Sequence, residues 1–187
     1  VQINGGTITN VYGGNDANGK PNGNIEVYIN NGTITNTFGG GNQTSANTTN
    51  VYLIGGSSDN IYGGSNLTGE VTTSNVITTG GTSINVYGGN NQGGTTDVTN
   101  VTINGGNITN VYGGGEQTSV TTNTNVNLNS YATNVFGGSN LNGTIPVSNI
   151  IVTNGGALNV YGGNNQGGTT TTSNIDIKGS NITNLYG

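Results

Sequence analysis

Asn10-Val11-Tyr12-Gly13-Gly14 returns along the whole chain with small changes. Its aromatic recurs at Tyr12, Phe38, Tyr62, Tyr87, Tyr112, Phe136, Tyr161 and Tyr186, in steps of 24 to 26 residues. Asparagine stands two places earlier every time, at Asn10, Asn36, Asn60, Asn85, Asn110, Asn134, Asn159 and Asn184. A fixed period of this size marks a repeat architecture, in which each unit buries its apolar face against its neighbours.

A second landmark lies inside each period. Asn50, Asn75, Asn100, Asn125, Asn149 and Asn174 each precede a short alternating run such as Val101-Thr102-Ile103-Asn104. Glu26 takes that place before Val27-Tyr28-Ile29. Alternation of this kind predicts a strand with Val101 and Ile103 inward and Thr102 and Asn104 outward. Glycine pairs such as Gly55-Gly56 and Gly105-Gly106 follow, then a short run ending at the aromatic landmark. A Thr-rich limb of variable sequence completes the period. Recurrent glycine and frequent Val, Ile and Thr argue against helix. Glycine is expected at the corners for its positive φ, with asparagine tolerating the same conformation.

These features predict an all-β fold, a parallel β-helix or β-solenoid. It has three short strands per coil, 24–26 residues per coil and about 7.5 coils, each rising roughly 4.8 Å. Right-handed winding is the default for parallel crossovers. Residues 1–187 read as one solenoid domain, and the phase of both ends within the repeat suggests a segment of a longer array.

A longer period overlays the short one. The residue after the two glycines runs Asn15, Gly41, Ser65, Asn90, Gly115, Ser139, Asn164. Tyr87 to Thr96 is repeated as Tyr161 to Thr170, so the larger unit is three coils of 74 or 75 residues in all. Propeller blades are too long for this period, and leucine-rich repeats need more leucine than the six present.

Stacking predicts that both asparagine columns form ladders of amide-to-amide hydrogen bonds. The aromatic column is expected to form a continuous stacked ribbon. Its side is left open by the residues. If the asparagine corner preserves alternation, Ile108, Asn110 and Tyr112 share the inner side. If the corner breaks it, Val111 is inside and Tyr112 faces out.

Composition narrows function by exclusion. Only two lysines and seven acids are charged, giving a net charge of −5, and His, Arg and Cys are absent. A basic face for phosphate backbones is missing, which argues against nucleic acid as a partner. No apolar run is long enough to insert into a membrane. The acids Asp16, Glu26, Asp59, Glu70, Asp97, Glu116 and Asp176 show no shared column, so neither an enzyme nor a cofactor or metal site is expected. The outward column Thr9, Thr35, Asp59, Ile84, Thr109, Thr133, Leu158 and Thr183 suggests a third, lesser possibility, an ice-binding face, but it is interrupted.

The stretch Gly105-Gly106-Asn107-Ile108-Thr109-Asn110-Val111-Tyr112-Gly113-Gly114 resembles repeats of large secreted β-solenoid proteins of bacterial surfaces. The resemblance covers the whole chain. It implies an extracellular or cell-surface protein of the adhesin-stalk or fibre-forming type, and it brings no catalytic residues. The expectation is a structural rod, stalk or filament that self-associates end to end or side by side. The alternative is a binding module whose outer aromatic and Thr/Asn columns take glycans or a host-surface ligand.

Overall fold

A computed structural model describes residues 1–187, and the chain is a parallel β-solenoid of about seven turns. The first coils hold β1 (Gln2–Tyr12), β2 (Ile25–Phe38), β3 (Ala46–Leu53) with β4 (Ser57–Tyr62), and β5 (Glu70–Tyr87). The later ones hold β6 (Thr95–Tyr112), β7 (Ser119–Leu128) with β8 (Tyr131–Phe136), β9 (Thr144–Val152) with β10 (Gly156–Tyr161), and β11 (Thr169–Ile177) with β12 (Asn181–Tyr186). All twelve strands belong to one sheet and every pairing is parallel.

Register follows the repeat. Asn75 pairs with Asn100, Val76 with Val101 and Tyr87 with Tyr112 between β5 and β6. The limbs of a coil are fused more than their sequence suggests. Hydrogen bonding continues around the bends, so β5 and β6 each run unbroken for 18 residues, while later coils divide into two strands. Register shifts near Thr96/Val98 and Thr78/Thr79 mark where the backbone turns.

The core is a set of inward columns. Val27, Val51, Val76, Val101, Val126 and Ile150 form one, with Ile29, Leu53, Ile103, Leu128 and Val152 beside it. Ile34, Ile108, Ala132 and Ala157 face them from the second limb, as do Ile61, Val86, Val111, Val135 and Val160. Small hydroxyls fill the gaps: Thr37 and Ser58 bond each other at 2.9 Å, and Thr78 donates to the Gly105 carbonyl at 2.7 Å.

The glycines divide into two kinds. Those of the corner after the first limb, such as Gly56, Gly81 and Gly106, do have positive φ. Those following the aromatic do not, and no asparagine does either, which corrects the corner chemistry expected for both. The first glycine after the aromatic is there for space. A Cβ on Gly113 would lie 2.3 Å from the Gly137 carbonyl oxygen and 3.0 Å from Thr124.

The three-coil period also has a structural cause. Asn90 is fully buried; it donates to the Gly93 carbonyl of its own loop and to the Gly69 carbonyl of the preceding coil, from whose Ser65 N–H it accepts. Asn164 repeats those bonds with Gly143, Gly167 and Ser139. Ser65 and Ser139 instead donate to the Thr44 and Thr118 carbonyls. Gly41 and Gly115 leave room for the Thr44 and Thr118 hydroxyls, which a Cβ would approach to 2.1 Å. Asn, Gly and Ser are thus three ways of filling one loop.

Candidate functional site

Both expected asparagine ladders form. In the first, each Nδ2 donates to the Oδ1 one coil earlier, from Asn36 to Asn10 through Asn60, Asn85, Asn110, Asn134 and Asn159 to Asn184, at 2.8–3.0 Å. The second runs Asn174, Asn149, Asn125, Asn100, Asn75 and Asn50 at 2.9–3.0 Å, and ends with Asn50 donating to the Glu26 carboxylate at 3.3 Å. An amide repeats under translation by one strand spacing because it carries a donor and an acceptor. A carboxylate only accepts, so it can begin such a ladder but cannot pass it on.

A third ladder went unrecognised in the sequence. It occupies the position four after each aromatic: Asp16, Asn42, Asn66, Asn91, Glu116, Asn140 and Asn165. Asn42 donates to Asp16, Asn66 to Asn42, Asn91 to Asn66 and Asn165 to Asn140, each at 2.8 Å. Two acids therefore do share a column, contrary to the expectation from spacing. The signal was a constant offset from the aromatic, hidden because the limb around it varies.

The aromatic ribbon is continuous. Successive rings from Tyr12 to Tyr186 lie 4.7–5.0 Å apart with interplanar angles of 3–11°. Its placement matches neither alternative read from the sequence. Val111 points into the main core, so alternation does break, yet Tyr112 is buried as well. The rings from Phe38 to Phe136 form a second cluster on the other side of the strand. The third ladder lies along it.

Hydroxyls of this ribbon reach third-ladder residues two coils further on. Asn66 donates to Tyr12 Oη at 3.4 Å and Asn140 to Tyr87 Oη at 3.3 Å. Tyr62 differs, because its hydroxyl donates to Glu116 Oε2 at 2.8 Å. Burial, and then this hydrogen bond, hold the Tyr62 phenol far above its ordinary pKa. Burial also raises Tyr87 and Tyr112, and a hydrogen bond from Asn165 offsets part of the effect at Tyr112.

A second, shorter stack faces outward. Tyr28 and Tyr52 lie 4.7 Å apart with ring planes 7° from parallel, both half-buried. Tyr28 donates to Glu26 Oε2, and that bond is the main reason its pKa is pushed up to about 12. The Thr-rich outer column stays on the surface, with Ile84 and Leu158 exposed among its threonines.

No protein-family model, curated protein or solved structure matches this chain.

Proposed function

We propose that this chain is a non-catalytic structural scaffold, a rigid rod, stalk or filament segment working on or outside a cell. One observation carries the reading: three amide ladders and an aromatic ribbon run along the same axis as the backbone hydrogen bonds. The first ladder and the ribbon close every step from Tyr12 to Tyr186, the other two ladders close most of them, and stability in such arrays comes from nearest-neighbour stacking. Side-chain chemistry spent on axial cohesion suits a part that must resist pulling and proteolysis. The resemblance to secreted bacterial β-solenoids supports the location and a tendency to associate end to end or side by side.

Electron micrographs of the purified protein, with single-molecule pulling, test this. Thin rods of uniform width that unfold at high force in steps of whole coils are expected. Flexible or globular particles that extend at low force would remove the scaffold role.

A second reading has its own support. The outward Tyr28–Tyr52 stack, flanked by Glu26 and Asn50, offers aromatic surface beside polar groups, which suits a glycan on a host surface. The binding reading therefore moves from the long ribbon, which is covered, to this pair. Calorimetric titration with oligosaccharides, using Tyr52→Ala as control, separates it from the scaffold reading.

A further inference from the structure

Tyr62 is unlike every other ring in the ribbon. It is 4% exposed, stacked between Phe38 at 5.0 Å and Tyr87 at 4.7 Å, and it donates its proton to a carboxylate. Glu116 itself is only half-buried, so it meets solvent on its other side. It also interrupts an amide ladder in which an asparagine would have continued the chain of bonds. As a purely structural choice, Glu116 is therefore the poorer residue.

Removing an electron from a phenol makes its hydroxyl strongly acidic. The oxidation is easy only where a base already holds the hydrogen bond and can take the proton as the electron leaves. Phenylalanine has no such proton and is much harder to oxidise. Phe38 and Phe136 thus bound a run of three buried, stacked tyrosines: Tyr62, Tyr87 and Tyr112.

We propose that Tyr62 and Glu116 form a one-electron redox site, with Phe38 and Tyr87 stacked on the two faces of the Tyr62 ring. The reactant is a small one-electron oxidant. It gains one electron from Tyr62 and is reduced. The Tyr62 O–H bond breaks, an O–H bond forms on Glu116, and a neutral tyrosyl radical remains inside the ribbon. Returning an electron to Tyr62 and the proton from Glu116 reverses the step. Burial between rings keeps this radical from coupling with another phenol. The pair Tyr28 and Glu26 has the same donor and acceptor but faces solvent, so its radical is short-lived. The site is independent of any scaffold role.

The test is flash photo-oxidation of the intact protein by a ruthenium(III) tris-bipyridine complex, followed by electron paramagnetic resonance. A long-lived tyrosyl signal is expected. Tyr62→Phe should abolish it while leaving the fold intact, since the same column already holds Phe38 and Phe136. Glu116→Gln keeps an acceptor oxygen for the hydroxyl but cannot take up its proton, so the signal should form more slowly and in lower yield. Glu26→Gln should leave the long-lived signal unchanged. The proposal is overturned if the wild-type protein gives no long-lived signal. Persistence of the signal in Tyr62→Phe, or an unaltered formation rate in Glu116→Gln, overturns it equally.

Discussion

The hydroxyl of Thr99 crosses the interior to the carbonyl of Gly113, 2.6 Å away. Thr49 does the same to Gly63 at 2.6 Å and Thr124 to Gly137 at 2.5 Å. No backbone N–H reaches the carbonyls of Gly63 or Gly113, so these hydroxyls are what satisfies them. The column thereby ties the first limb of a coil to the corner after its aromatic.

Thr99→Val tests that tie. Valine matches the shape but leaves the Gly113 carbonyl buried and unpaired, which costs about 1–3 kcal/mol. Equilibrium denaturation should show this loss with an unchanged m-value. A neutral result would mean that water or a backbone shift replaces the hydroxyl.

Gly113→Ala tests the clearance role, with Gly5→Ala as a control where neither space nor a positive φ is demanded. At Gly113 a Cβ meets backbone of the next coil, whereas nothing lies within 4 Å of the position at Gly5. Overpacking at Gly113 should cost about 3 kcal/mol or more. Gly5→Ala should stay within about 0.5 kcal/mol of the parent. Similar melting temperatures for both variants would contradict the close-approach explanation.

Asn110→Ala removes two ladder bonds at once, since Asn110 donates to Asn85 and accepts from Asn134. Two part-buried amide groups are left without their partners, at a cost of about 1–3 kcal/mol. Asn184→Ala removes one exposed bond, to Asn159, and should cost less than about 1 kcal/mol. Thermal melts of the two variants give the comparison, and equal losses would argue against a load shared along the ladder.

Raised phenol pKa values make the fold sensitive to alkali. Tyr62, Tyr87 and Tyr112 stay protonated in the folded chain above the ordinary phenol value of 10.0. The unfolded chain releases those protons first, so the folded state binds more protons and stability falls as pH rises past 10.0. Below that value the contribution is fully present. Phenolate absorbance and far-ultraviolet circular dichroism, followed together, should show the buried tyrosines ionising only as β-structure is lost. Complete ionisation with the fold intact would refute their burial.

Much of this was legible in the residues. Counting from Tyr87 to Tyr112 placed them one step apart, and both asparagine columns became ladders because an amide is its own complement under that step. The third ladder was countable too, from Asn66 to Asn91, but irregular neighbours masked it. The glycine after each aromatic serves clearance and not a positive φ, and the two needs leave the same residue in the sequence.

Period, parallel stacking and register were therefore decided by the sequence alone, since they depend only on like residues meeting like at a constant interval. The burial of Tyr112 beside an inward Val111, the tie from Thr99 to Gly113 and the reach of Tyr62 to Glu116 were decided only by the tertiary structure. Those contacts join unlike residues across a coil or over two coils. Their distance in space is set by how the loops bend, which no one-dimensional interval records.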